Sequence, residues 1–80
     1  MITKAAFKEE FKKLGTRIQQ LREDKGFSIS ELSEKTGIRK VYLQKIEKGN
    51  AYGMTFEKHL IKIADALEIE LSKIFENKEL

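Results

Sequence analysis

The chain has 80 residues, of which 40% are hydrophobic and 36% charged, and its formal net charge is +3. A chain of this length predicts one small domain, residues 1–80, with no room for an enzyme scaffold around a deep cleft. The absence of cysteine excludes disulfides and thiolate metal sites and suits a reducing cytoplasm. No apolar run has the length of a signal peptide or a membrane span, so we expect a soluble, cytoplasmic protein.

Charge is unevenly distributed along the chain. Residues 1–48 contain 12 Lys/Arg against 7 Asp/Glu, a net charge of +5, whereas residues 49–80 contain 4 against 6, a net charge of −2. A basic first half is compatible with a polyanionic partner. A solvated basic surface without a partner would give the same pattern.

The first predicted helix lies within residues 3–25. Its apolar residues recur at alternating steps of four and three and therefore share one stripe: Phe7, Phe11, Leu14, Ile18 and Leu21. A second stripe consists of lysines spaced four apart: Lys4, Lys8 and Lys12. This basic stripe could indicate a helix that lies on a membrane surface, but Glu9 and Glu10 interrupt it. Core packing on one side and solvation on the other is the simpler interpretation.

The second and third predicted helices are joined by a short turn. Helix two covers about residues 28–36 and begins at SISE, which fits a capping box between Ser28 and Glu31. Gly37 and its two successors form the turn before helix three, about residues 39–48. A turn this short prevents an antiparallel return, so we expect a steep crossing angle, which is typical of a helix-turn-helix.

Helix three has two chemically different faces. A rotation of about 100° per residue places five side chains on one arc: Lys40, Val41, Gln44, Lys45 and Lys48. The remaining side chains lie on the opposite arc: Tyr42, Leu43, Ile46 and Glu47. The first arc has three lysines and no acid, unlike the mixed charge expected of a merely solvated helix surface.

Two further helices complete an all-α prediction with five helices. Helix four covers about residues 55–67, with Thr55 as its N-cap, and helix five covers about residues 71–76. His59 has no second ligand spaced with it, and no nucleophile has a base at usable spacing. We therefore predict no metal site, no cofactor and no enzymatic activity.

Residues 14–75 resemble the phage-repressor-like helix-turn-helix family, of the Cro and lambda-repressor type, also called XRE. Two segments carry the resemblance: RIQQLREDKGFSISELSEKTGIRKVYLQKIEKG and KHLIKIADALEIELSKIF. It implies a five-helix, lambda-repressor-like domain in which helix three enters the DNA major groove. Matched to the family pattern, four residues of the first arc face base edges: Lys40, Val41, Gln44 and Lys45. Lysine can donate to guanine, glutamine can pair with adenine, and valine can contact a thymine methyl group.

The resemblance also implies contacts to DNA phosphates. Four side chains near the ends of the motif are placed for them: Arg39, Tyr42, Lys48 and Asn50. The free backbone amides at the start of helix two, around Ser28 and Ile29, are placed likewise. The chain departs from the family at two of these positions. Ile29 replaces a common glutamine, and Arg39 replaces a common capping residue and cannot accept from a backbone amide.

An ion pair and a dimer are further implications of the resemblance. The family pattern pairs Arg22 with Glu47, which would clamp helix one to helix three. The apolar residues near the C-terminus would form a two-fold interface: Ile69, Leu71, Ile74 and Phe75. Such a homodimer would place two recognition helices about 34 Å apart on a pseudo-palindrome. The simpler alternative is that these residues cap the core of a single chain.

The function that the resemblance implies is sequence-specific binding to double-stranded DNA. The chain would act as a transcriptional regulator, either a repressor or a controller-type protein, in the form of a homodimer on its operator. The alternative is a protein-interaction module or an antitoxin that uses the same fold with little DNA affinity of its own.

Overall fold

The computed structural model describes residues 4–51 and 56–75, with side chains from residue 8 onward except that of Phe56. Five helices follow one another in the chain: α1 (Lys4–Asp24), α2 (Ile29–Thr36), α3 (Lys40–Glu47), α4 (Phe56–Ala66) and α5 (Leu71–Phe75). No strand occurs in these two ranges, which confirms the all-α prediction. The proposed N-cap Thr55 and the predicted end of helix five at residue 76 lie outside the described residues.

One apolar core lies between the helices. Its fully buried side chains come from all five helices and from the residue that follows α4: Ile18, Leu32, Leu43, Ile46, Ile63, Leu67 and Ile74. Burial of each such side chain stabilises the folded state by about 1.5–3 kcal/mol relative to leaving it exposed. The predicted stripe of α1 faces this core, where Ile18 is buried and Phe11, Leu14 and Leu21 are partly buried. The side chain of Phe7 lies outside the described residues.

Hydrogen bonds and backbone geometry at the two ends of α2 fix its length and the turn between α2 and α3. The predicted capping box is confirmed: the Glu31 amide donates to Ser28 Oγ at 3.0 Å, and the Ser28 amide donates to Glu31 Oε1 at 2.9 Å. Gly37 ends the helix in the left-handed region with φ of 76°, which a residue with a side chain adopts only with strain. The Ser33 hydroxyl then donates to the carbonyl oxygen of buried Ile38 at 2.6 Å. These bonds fix the turn that leads into α3.

Helices α1 and α3 approach each other backbone to backbone. A Cβ atom placed on Gly15 would lie 2.4 Å from the Ile46 carbonyl oxygen and 2.5 Å from that of Glu47. A Cβ atom on Gly49 would lie 2.6 Å from the Cα atom of Lys12. Both distances are shorter than real Cβ contacts, so each position requires glycine. The position of α3 is therefore set directly by the backbone of α1.

The apolar residues at the C-terminal end divide between core and surface. Ile74 is only 1% exposed within the single chain, so its predicted place in a dimer interface is wrong. Ile69 is half-buried and packs against the core. Leu71 and Phe75 are exposed, with 37% and 58% of their surface accessible. The Ile74 side chain packs in the core and so holds the short helix α5 against the other helices.

Candidate nucleic-acid interface

The solvent-facing side of α3 is basic. All five side chains of the predicted arc are exposed: Lys40, Val41, Gln44, Lys45 and Lys48. On the opposite side Leu43 and Ile46 are fully buried, so the helix cannot rotate without exposing its core face. An α-helix with its side chains is about 10–12 Å in diameter, which the B-DNA major groove, about 12 Å wide, admits.

Three kinds of contact are available on this face. Lysine ammonium groups can donate to guanine O6 and N7, and the Gln44 amide can both donate to and accept from adenine. Val41 is 65% exposed, so its methyl groups are accessible for contact with a thymine methyl group. The face therefore has the chemistry required to distinguish base pairs.

A buried ion pair holds this helix in place. Arg22 donates through Nε to Glu47 Oε2 at 2.8 Å and through Nη2 to Glu47 Oε1 at 3.1 Å. The two side chains are 11% and 8% exposed. The hydrogen bond to Glu47 raises the pKa of the Arg22 guanidinium, against the opposing effect of burial. Arg22 also donates to the Phe27 carbonyl oxygen at 2.7 Å, so one side chain links α1, α3 and the loop before α2.

The predicted phosphate-contacting side chains differ in their surroundings. Arg39, Lys48 and Asn50 are exposed at the two ends of α3. Arg39 occupies the N-cap position and makes no side-chain capping bond, as its chemistry predicted. Tyr42 is half-buried, and its ring packs edge-on against the His59 ring with centroids 4.7 Å apart. That contact orients the tyrosine against α4.

The start of α2 offers fewer free amides than predicted. The Ser28 amide is not available to a phosphate, because it already donates to Glu31. The hydrogen bonds from Ser28 lower the pKa of the Glu31 carboxyl, so an anion occupies the positive end of this helix. Of the two predicted amides, that of Ile29 is the one outside the capping box, and the Ile29 side chain packs partly against the core.

Sequence reasoning missed one basic cleft beside α3. Lys8 and Lys12 of α1, together with Gly49 and Asn50 after α3, line a cleft of about 350 Å³. The spacing of Lys8 and Lys12 showed that the two lysines share a face of α1. No signal in the sequence indicated that this face lies beside the end of α3.

The described residues also bear on metal binding and on membrane insertion. Within residues 4–51 and 56–75, no three His, Cys, Asp or Glu side chains are grouped closely enough to hold a metal ion. His59 Nδ1 is buried without a hydrogen-bond partner in this part of the chain. None of the helices found there combines the length and apolar character needed to cross a bilayer.

Comparisons with known proteins identify close relatives in sequence. A helix-turn-helix family model (HTH_3) matches residues 18–74. The chain is 35% identical over 65 residues to the HTH-type transcriptional regulator SinR from Bacillus subtilis (strain 168). The aligned region is 81% of this chain but 58% of SinR, so the chain spans less than two thirds of the curated relative.

Solved structures agree with this match and complete the assignment. The restriction-modification controller protein C.AhdI from Aeromonas hydrophila superimposes with a TM-score of 0.77 at 30% identity, covering 84% of this chain and 98% of C.AhdI. A crystal structure of SinR, described as the master regulator for biofilm formation and solved in complex with DNA, gives a TM-score of 0.70 at 35% identity. The match covers 79% of this chain and 98% of that one. The chain therefore belongs to the XRE-type helix-turn-helix family of DNA-binding transcriptional regulators.

Proposed function

We propose that this chain is a sequence-specific, double-stranded DNA-binding transcriptional regulator that acts in the cytoplasm and has no catalytic activity. The observation that carries the proposal is the exposed face of α3, which has three lysines, a glutamine, a valine and no acid. The opposite face of the same helix is buried, and the Arg22–Glu47 pair holds it against α1. Base edges would be contacted by four residues: Lys40, Val41, Gln44 and Lys45.

Contacts to phosphates would set the position of the protein on the duplex. The exposed side chains at the ends of α3 supply them: Arg39, Lys48 and Asn50. Tyr42 and the Ile29 amide would add to these contacts from the edge of the motif. Such contacts carry affinity without sequence information, which comes from the base edges.

The proposal includes a homodimer. Leu71 and Phe75 are exposed on α5, so a single chain presents an apolar surface to water, which is unfavourable. Ile69 lies partly buried beside them, whereas Ile74 belongs to the core and is excluded. A two-fold axis at this surface would place two copies of α3 about one DNA turn, ~34 Å, apart.

Two substitutions on α3 test the proposed roles. A duplex selected from a random pool by the wild-type chain serves as the probe. Lys45→Ala should relax the preference at one base position of each half-site, because a base contact is lost. Lys48→Ala should weaken binding to all sequences about equally and reduce the log–log salt slope by about 0.9 per lost phosphate contact.

Identical profiles for the two variants would contradict this assignment of roles. A wild-type chain with no salt-dependent duplex binding would contradict DNA binding itself.

A further inference from the structure

The basic cleft beside α3 is formed by two segments that are distant in the chain. Lys8 and Lys12 lie one helical turn apart on α1, about 5–6 Å between Cβ atoms, and both are exposed. Gly49 and Asn50 face them from the segment that follows α3. Asn50 is tied to α3, because its amide donates to the Lys45 carbonyl oxygen at 2.8 Å. The cleft is thus next to the C-terminal end of the basic face.

The cleft has a fixed geometry relative to α3. The backbone of Gly49 lies so close to that of Lys12 that a Cβ atom there would be 2.7 Å from the Lys12 nitrogen. Gly15, one turn further along α1, makes the same kind of approach to the last turn of α3. Because backbone contacts do not change with side-chain rotamers, the Cα atom from which the Lys12 side chain extends has a fixed position relative to α3.

The lysines of the cleft have no acidic partner in the described part of the chain. Among residues 4–51 and 56–75, no carboxylate lies within 4.0 Å of the Lys8 or Lys12 ammonium group, whereas Lys13 pairs with Glu10 at 3.9 Å. Two uncompensated charges beside a polar cleft of about 350 Å³ attract an anion. A membrane surface is a poor candidate, since the apolar side chains of α1 from Phe11 onward pack against the core.

We propose that Lys8, Lys12 and Asn50 form an additional phosphate-binding site for the DNA backbone that flanks the groove occupied by α3. The inference rests on the proposed DNA-binding function and adds α1 to the DNA-contacting surface. Successive phosphates of one strand advance 3.4 Å along the duplex axis, so two lysines one turn apart can contact neighbouring phosphates. The site would add affinity but no sequence preference.

Neighbouring lysines of α1 provide a matched test. Lys12→Ala and Lys13→Ala remove the same charge from the same helix, and only Lys12 lines the cleft. Affinity for the selected duplex is measured by fluorescence anisotropy over a range of salt concentrations, for these variants and for Lys8→Ala. At 0.15 M salt, Lys12→Ala and Lys8→Ala should each weaken binding about fivefold per lost contact and reduce the log–log slope by about 0.9. Lys13→Ala should match the wild type, and base preference should change in none of them.

Each result distinguishes this inference from the function on which it rests. In one outcome, Lys12→Ala and Lys8→Ala have the same duplex affinity and salt slope as Lys13→Ala, while Lys45→Ala still loses base preference. That result would overturn the additional site and leave the DNA-binding function intact. A wild-type chain that binds no duplex would overturn both. Lysine-dependent binding to vesicles of anionic lipid, with no change in duplex affinity, would replace DNA by a membrane as the ligand of the cleft. Thermal melting of each variant verifies that the helices remain folded.

Discussion

Two ion pairs among the described residues differ in burial and therefore in the stability that each is expected to contribute. Arg22 and Glu47 are joined by two hydrogen bonds and are almost fully buried. Lys13 and Glu10 lie 3.9 Å apart with 60% and 69% of their side-chain surface exposed. Exposed pairs contribute about 0–1 kcal/mol because water and salt screen them, whereas breaking a buried pair leaves a charge without solvent or partner.

Replacement of Glu47 tests the buried pair. Glu47→Ala should lower the free energy of unfolding by about 3 kcal/mol, because it leaves the Arg22 guanidinium with only the Phe27 carbonyl oxygen as a partner. For a domain of this size that loss lowers Tm by more than about 10 °C. The control Glu10→Ala should change stability by less than about 0.5 kcal/mol. Thermal unfolding followed by circular dichroism measures both, and equal melting of the two variants would show that the clamp does not stabilise the fold.

At the scale of helices, α1 and α3 approach each other so closely that their backbones are in contact. Gly15 lies in the middle of α1, where glycine is less favourable than alanine by about 1 kcal/mol. Glycine is nevertheless required there, because the carbonyl oxygens of Ile46 and Glu47 occupy the space that a Cβ atom would fill. The close approach also brings Arg22 within reach of Glu47, so the helix contact and the ion pair support each other.

Alanine at position 15 separates helix propensity from packing. Gly15→Ala should destabilise the fold by about 1–3 kcal/mol despite the better helix propensity, because α3 must move away from the new methyl group. Thr16→Ala, at the next and exposed position of α1, should be neutral or slightly stabilising. Urea denaturation of both variants measures the difference. If Gly15→Ala were as stable as the wild type, the two backbones would not be in the contact described.

The sequence predicts the helices far better than it predicts the contacts between them. Periodicity and caps placed the ends of α2 and α3 within one residue, because local signals such as Ser28 and Gly37 act over one turn. The capping box itself implies that the Ser28 amide donates to Glu31 and is not free for a phosphate. The burial of Ile74 and the cleft at Lys12 depend on which helices meet in space. No local pattern carries that information.

At the scale of the whole molecule, the basic face and the exposed apolar pair of α5 lie on different helices. The basic face lies on α3 and the adjoining turns of α1, whereas the exposed apolar pair Leu71 and Phe75 lies on α5. Residues 49–80 carry a net charge of −2, so DNA attracts the first part of the chain and not the second. This separation is compatible with the proposed arrangement, in which α5 would contact a second copy while α3 binds DNA.

A charge placed at the apolar pair tests the proposed homodimer. Phe75→Glu should convert a dimer to a monomer in sedimentation equilibrium, because an interface with a buried unpaired carboxylate is strongly disfavoured. Ile61→Glu is the matched control, since Ile61 is likewise exposed, at 51%, but lies on α4, and this variant should remain a dimer. Loss of the dimer should also weaken operator binding, because two linked copies of α3 bind a palindrome with higher avidity than one.

If Phe75→Glu sediments as the wild-type dimer does, α5 is not the interface. If the wild type is monomeric at all concentrations and on its selected duplex, the homodimer proposal fails while single-copy recognition by α3 stands.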